Sequence, residues 1–235
     1  MKKIMSAAVV VASLFAINAH AANVVGASSV TFTHPGLLDS NAVYAGVNTR
    51  SFTWGDGSVA NVGSNNLTFT GTNFSSPFNT PFKLGTLTYF NGTTALNSNL
   101  KQIDLTSRLT FSQPAGLPSV TSNFVLGLNS TVNTSDPVAS ADFVNFNSTT
   151  SSSRFVINGN TYTVKITGFQ HVIGDGFLQS SATEFHVLEG RTASADLYAS
   201  VVRAAPVPEP ETYAMMIAGL GMLGFFARRR KAAQV

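Results

Sequence analysis

Two aspartates lie between glycines, where carboxylate and backbone carbonyl oxygens could bind a calcium ion. Asp56 is in Gly55-Asp56-Gly57, and Asp175 is in Gly174-Asp175-Gly176. One acid per loop makes a weak site, and the chain contains no D-x-D-x-D-G loop. Aspartate is also common in turns because its side chain bonds the local backbone, which by itself explains both positions. We therefore predict no metal or cofactor and retain Asp56 and Asp175 only as weak calcium candidates.

Trp54 is the one tryptophan of the chain and follows Phe52 by two positions. In a strand, residues two apart lie on the same face, so both rings are buried or both are exposed. An aromatic pair fills a sandwich interior well, and we favour that interpretation. In the alternative, Trp54 with Tyr44 or Tyr89 forms an exposed platform for stacking against sugar rings.

No catalytic constellation is evident, and we predict that the protein is not an enzyme. The chain has no cysteine, which excludes thiol catalysis. It also has no G-x-S-x-G and no H-E-x-x-H motif. A glycosidase needs two carboxylates roughly 5 to 10 Å apart across a cleft. Glu184 and Glu189 flank a predicted strand and are expected on opposite faces. The histidines of the mature chain, each expected to be structural, are His34 at a strand end, His171 at another strand end, and His186 in an alternating strand.

The N-terminus has the features of a secretory signal peptide. Lys2 and Lys3 precede an apolar run over residues 4–17, and Ala19-His20-Ala21 supplies the small-residue cleavage pattern. We predict a signal peptide over residues 1–21 and a mature chain from residue 22.

The C-terminus contains a second processing unit. Residues 206–212 form a proline-rich linker containing Pro208-Glu209-Pro210, because alternating prolines block a helix. Residues 213–227 are predicted to be a transmembrane helix, although they fall short of the roughly 20 residues that usually span a bilayer. Residues 228–235, beginning with Arg228, Arg229 and Arg230, form a basic tail that is expected to stay cytoplasmic.

This order of elements resembles the PEP-CTERM sorting signal of Gram-negative bacteria. The resemblance implies that a membrane-embedded exosortase recognises the tail. The protein is then exported across the inner membrane, held there transiently by the helix, and released to the cell surface or matrix. A permanent single-pass anchor is the alternative, and it places the same domain outside the cytoplasm.

The charge of the body argues against a nucleic-acid partner. Between residues 22 and 205 there are eight cationic and nine acidic side chains, so the net charge is −1 although the whole chain carries +3. The cations are also scattered singly, which leaves no basic stripe for a phosphate backbone.

Residues 22–205 are predicted to form one all-β domain, because apolar residues recur at every second position. Arg154 to Ile166 contains two β-rich runs around Asn158-Gly159, a pair typical of a type I′ hairpin. About nine or ten strands favour an antiparallel β-sandwich of jelly-roll type. The other predicted strands cover residues 30–33, 51–54, 67–70, 82–90, 100–111, 124–132, 143–147, 185–188 and 197–202.

The body also resembles the choice-of-anchor domains of bacterial surface proteins, most nearly type K. Residues 50–55 and 82–92 carry the similarity, which would extend over residues 28–200. The resemblance implies a β fold and extracellular placement and brings no catalytic residues.

Three functions remain open from the sequence. The first is a non-catalytic surface or matrix protein associated with exopolysaccharide or biofilm. The second is a lectin-like carbohydrate-binding module, and the third is a secreted glycan-acting enzyme. A concave face holding two neighbouring carboxylates would favour the enzyme.

Overall fold

The computed structural model describes residues 23–59, 62–179 and 181–204, together with the single positions 216, 218 and 220. The predicted signal peptide, the linker with Pro208, Glu209 and Pro210, and the basic residues Arg228, Arg229 and Arg230 lie outside the described residues. Met216, Ala218 and Leu220 are helical and belong to the predicted transmembrane segment, the remainder of which is likewise outside. Within the described residues, no helix has both the length and the apolar character needed to cross a membrane.

The described residues of the body form fourteen strands and one short 3₁₀ turn, Gly57–Val59. The strands are β1 Asn23–Leu37, β2 Tyr44–Ala45, β3 Ser51–Trp54, β4 Asn65–Gly71, β5 Asn73–Pro77, β6 Phe82–Phe90, β7 Leu100–Gln113, β8 Val120–Asn129, β9 Asp142–Phe146, β10 Thr150–Ile157, β11 Asn160–Gly174, β12 Gly176–Leu178, β13 Glu184–Val187 and β14 Thr192–Arg203.

The strands form two sheets of seven. Sheet A has the order β12-β13-β9-β8-β7-β1-β5, and sheet B has the order β10-β11-β14-β6-β4-β3-β2. Each strand pair with a defined register is antiparallel. The prediction of an all-β antiparallel sandwich is confirmed.

Alternating apolar residues from the two sheets form one core between them. In β6, for example, Leu87 and Tyr89 point inward and are almost completely buried. Burial of this apolar surface supplies the main stabilising free energy in a chain that has no disulfide. The largest fully buried side chains are Trp54, Tyr89, Phe32, Phe52, Phe69, Phe124, Phe169 and Phe185.

The predicted hairpin at Asn158-Gly159 joins β10 to β11. Asn158 has a φ of 48° and Gly159 a φ of 75°, the two positive angles that a type I′ turn requires. Ile157 pairs with Asn160 directly across this turn.

Two predicted strand ends are wrong. β1 continues past His34 to Leu37, and β11 continues past His171 to Gly174. Both histidines have positive φ angles, 49° and 52°, so each marks an irregular position inside a long strand. At His34 the pairing with β7 shifts register between Thr33 and Gly36.

Candidate functional site

The loops at one end of the sandwich line a cavity of about 510 Å³ that is open to solvent, here called the loop cavity. Its walls come from the segments that follow β1, β6 and β8, from the first residue of β9, and from the turn after β13. Neighbouring strands run antiparallel, so these segments, which are far apart in sequence, meet at the same end of the body.

Asp142 is the most deeply buried charged residue in this wall, with 4% of its surface exposed. It begins β9 and lies on the same strand face as Val144 and Phe146, both of which are buried. The Thr131 backbone N–H donates a hydrogen bond to Asp142 Oδ1 at 2.6 Å, and the Thr131 hydroxyl donates another at 3.2 Å. These bonds fix the carboxylate at the bottom of the loop that follows β8.

Burial is the main cause that raises the pKa of Asp142 from 3.8 to about 6, and the nearby negative charge of Glu189 contributes to this rise. The hydrogen bonds from Thr131 act in the opposite direction, because they stabilise the ionised form. The same environment affects Tyr89, whose pKa is raised well above its ordinary value by burial first and then by the charges of Asp142 and Glu189. The three groups therefore form one electrostatic unit at the end of the core.

Two further acids line the loop cavity. Glu189 follows β13, and its Oε1 accepts a hydrogen bond from the Thr93 hydroxyl. Asp39 follows β1, and its Oδ2 accepts a hydrogen bond from the Asn99 backbone N–H at 2.9 Å. Among the described residues, the wall contains no lysine, arginine or histidine.

A second cavity of about 400 Å³ adjoins the first and shares Asn133 and Glu189 with it. We call it the side cavity. Asp175 and Arg191 lie in its wall, so a basic side chain is present here, unlike in the loop cavity.

The aromatic residues predicted as a possible ligand platform do not form one. Trp54 is 2% exposed and Tyr89 1% exposed, and their rings stack inside the core with centroids 5.6 Å apart. Trp54 also stacks on Phe52 at 6.2 Å, which is the buried arrangement of the two that the sequence left open. Tyr44 pairs with Trp54 across β2 and β3 and remains 42% exposed at the sheet edge. The platform does not form, because the alternation of side chains along β3 and β6 places the rings of Trp54 and Tyr89 between the sheets.

The two weak calcium candidates are far less enclosed. The Asp56 carboxylate accepts a hydrogen bond from the Ser58 backbone N–H at 3.0 Å, and this bond lowers its pKa. Asp175 lies in the turn between β11 and β12, where its carbonyl accepts a hydrogen bond from Leu188 N–H at 3.0 Å. Within the described residues, no group of three or more histidine, aspartate or glutamate side chains is placed to hold a metal ion.

The three histidines of the body contact carboxylates or aromatic rings. His34 Nδ1 lies 3.3 Å from Asp104, and His171 Nδ1 lies 3.6 Å from Asp196. His186 is 6% exposed and is stacked between Phe143 and Phe177 on the outer face of sheet A.

The sequence analysis did not identify the loop cavity. The sequence of β9 does contain an indication of it. Asp142, Val144 and Phe146 alternate along the strand, so the acid lies on the same inward side as the two apolar residues. Glu189 was considered only as a partner for Glu184. Glu184 lies in β13, whereas Glu189 lies beyond the end of that strand and reaches the cavity.

In a comparison with protein-family models, residues 206–231 match the PEP-CTERM protein-sorting motif. The protein is therefore exported, sorted by an exosortase at the membrane, and extracellular. No curated protein matches the chain significantly.

Proposed function

We propose that the protein is a non-catalytic component of the cell surface or extracellular matrix and associates there with exopolysaccharide or biofilm. The observation that carries this proposal is the sorting motif at residues 206–231, which delivers the body to the outside of the cell. The body suits that location, because it has a large buried core and depends on no disulfide.

The loop cavity supports a glycan as the partner. Its wall contains amides and hydroxyls, including Asn97, Asn133 and Thr131, which can hydrogen-bond sugar hydroxyls. Leu38 and Val132 also line it and are 62% and 82% exposed, so they offer apolar surface for the C–H face of a sugar ring. Lectin-like binding thus has a candidate surface that does not involve Trp54.

Binding to polysaccharide tests the proposal. The exported protein is applied to immobilised exopolysaccharide from the producing strain, with and without calcium. We expect retention that persists in the Trp54→Phe variant, since that ring is buried. Absence of retention under every condition would favour a protein-binding or purely structural role.

Sorting has a separate test, the intact mass of the protein from its native host. Cleavage near Pro210 is expected from exosortase processing. A chain that still ends at Val235 would indicate a permanent anchor and no release.

A glycan-acting enzyme is a second candidate, favoured by the presence of Asp142 and Glu189 in one concave wall. A carboxyl with a raised pKa beside a second carboxyl group is the pairing that acid–base glycosidases use. Incubation of the protein with the same exopolysaccharide, followed by mass spectrometry of released oligosaccharides, decides between the two. Products that disappear in both Asp142→Asn and Glu189→Gln would establish hydrolysis, and unchanged polymer would exclude it for that substrate.

A further inference from the structure

We propose that the loop cavity binds the ammonium group of an amino sugar within a glycan, with Asp142 and Glu189 facing the positive charge. The inference rests on the proposed association with polysaccharide and names the chemical class that the site would take.

The charge of the wall is one-sided. Asp39, Asp142 and Glu189 line the loop cavity, and among the described residues no basic side chain does. Arg191 lies in the side cavity, whose wall also includes Glu189. Hydrogen-bond donors hold these carboxylates but leave their negative charge in place. The loop cavity therefore attracts a positively charged ligand group.

Hydrogen bonds hold each of the three acids in a fixed position. Asp142 is held by both donors of Thr131, Glu189 by the Thr93 hydroxyl, and Asp39 by the Asn99 N–H. Carboxylates fixed in this way lose little conformational freedom on binding a cation, which lowers the cost of recognition.

The size and the lining of the loop cavity favour an organic ligand over a metal ion. A bare metal ion is a poor fit, because no group of three or more metal-ligating side chains converges among the described residues. The volume, about 510 Å³, is in the range of organic-ligand sites, and the side cavity extends it past Asn133 and Glu189. The site therefore suits an organic cation that continues as a chain.

The rest of the wall combines hydrogen-bonding side chains with apolar ones. Asn97 and Asn133 can bond hydroxyls, while Leu38, Leu96 and Val132 form an apolar rim. Asn91 precedes the wall residue Gly92, and its buried Oδ1 accepts no hydrogen bond from the described residues. Hydroxyls, C–H faces and a protonated amine occur together in amino-sugar polymers, whereas a simple amine uses only the acids.

The electrostatics of Asp142 agree with this assignment. The groups that face it are Glu189, Tyr89, Thr131 and Ser130, none of which is cationic. An ammonium group beside the carboxylate would reverse the effect of Glu189 and lower the pKa of Asp142. Binding should then release a proton from Asp142 near pH 6, and it should be strongest where Asp142 is ionised while the amine of the sugar is still protonated.

The test compares two oligosaccharides of equal length, one of glucosamine and one of N-acetylglucosamine, which differ only in whether the amine is free. Both are titrated calorimetrically into the exported protein at pH 6, where Asp142 is partly ionised and the sugar amine is protonated, and at pH 5. We expect the free-amine oligomer to bind at least about tenfold more tightly at pH 6, the value of one charge-assisted hydrogen bond.

Variants localise the effect. Asp142→Asn and Glu189→Gln should each remove most of the preference for the free amine. Asp104→Asn, the same change as at Asp142 but beside His34 on sheet A, should retain it. Asp142→Asn and Glu189→Gln both keep the size and shape of the native side chain, so an effect seen in both is not caused by misfolding of one of them. A thermal melt of each variant checks that it is folded.

Each result has a defined meaning. Equal binding of both oligomers, or a preference that survives both cavity variants, overturns the inference. If the producing strain's exopolysaccharide is retained while neither oligomer binds, the proposed function stands and the amino-sugar inference fails. If neither the exopolysaccharide nor the oligomers bind, the proposed function fails as well.

Discussion

The interior aromatic row and the loop cavity are neighbouring regions with opposite chemistry. The row consists of Phe52, Trp54 and Tyr89, stacked between the sheets and at most 2% exposed. The cavity contains Asp142, which is almost as buried but ionisable. Tyr89 connects the two regions, because its ring stacks on Trp54 while the charge of Asp142 helps burial to raise its pKa. Apolar burial stabilises the fold, whereas burial of the acid costs free energy, which argues that the acid is there to meet a ligand.

The largest effect expected in this comparison comes from the interior row. Trp54→Ala should lower the free energy of unfolding by about 3–5 kcal/mol, because it leaves a cavity among rings that cannot fully collapse. Urea denaturation followed by far-UV circular dichroism measures it. Glycan retention by the fraction that remains folded should be unchanged.

Trp54→Phe is the matched control. It keeps a ring in the stack and removes Nε1, which is buried without a hydrogen-bond partner among the described residues. Trp54→Phe should therefore lower the free energy of unfolding by much less than Trp54→Ala does. Tyr44→Ala, at the exposed sheet edge, should cost less still. A Trp54→Ala protein as stable as Tyr44→Ala would show that the row is not part of the core.

The cavity is tested through its pH dependence. Asp142 has a folded pKa of about 6 against an ordinary value of 3.8, so its contribution to stability is present below about pH 4 and is lost as the pH rises through 6. The difference of roughly two pKa units corresponds to about 2–3 kcal/mol. Asp142→Asn should remove this fall in stability between pH 4 and pH 7.

Urea titrations at pH 4, 5, 6 and 7 measure that slope in the parent and the variant. Trp54→Phe should keep the parent's slope, because it removes no titrating group. If Asp142→Asn and the parent lose stability equally over this range, Asp142 is not the buried acid that the structure indicates.

The interior row was predictable from the sequence and the cavity was not, for a physical reason. Trp54 and Phe52 are adjacent members of one alternating strand, so local periodicity alone assigns them to one face. Asp39, Asp142 and Glu189 come from three distant segments, and only the pairing of β1, β8, β9 and β13 brings those segments to one end. Local pattern carries no information on that pairing.

Strand boundaries show the same limit. The predicted bounds of β6, residues 82–90, are confirmed, because its apolar residues alternate with polar ones on either side of one irregularity at Gly85, where the register with β14 shifts. β5 and β12 were missed, since Asn73–Pro77 is polar and Gly176–Leu178 is only three residues long. Both are edge strands, held in place by a neighbour more than by their own sequence.

A smaller effect is expected at the hairpin between β10 and β11, which lies outside the interior row and the loop cavity. A substitution in this turn changes only the local stability of the backbone. Gly159→Ala places an L-residue at a φ of 75°, in the left-handed region. An added Cβ at this position would meet nothing within 4 Å, so the cost is conformational only. We expect a loss of about 1 kcal/mol by urea denaturation, with the pH slope of Asp142 preserved. Asn158→Gly is the control and should cost much less.

The smallest effect concerns His186, a buried base that mirrors the buried acid. Burial lowers its pKa, although Glu184 at 3.6 Å acts in the opposite direction. The unfolded state then binds a proton more readily, so His186 makes the protein less stable as the pH falls below about 6.5, the reverse of Asp142. His186→Phe extends the stack of Phe143 and Phe177 without a titrating group. Between pH 7.5 and pH 5.5 the variant should lose less stability than the parent in urea titrations. An equal loss would mean that His186 keeps its ordinary pKa, and that burial on the outer face of sheet A is weaker than burial at the loop end.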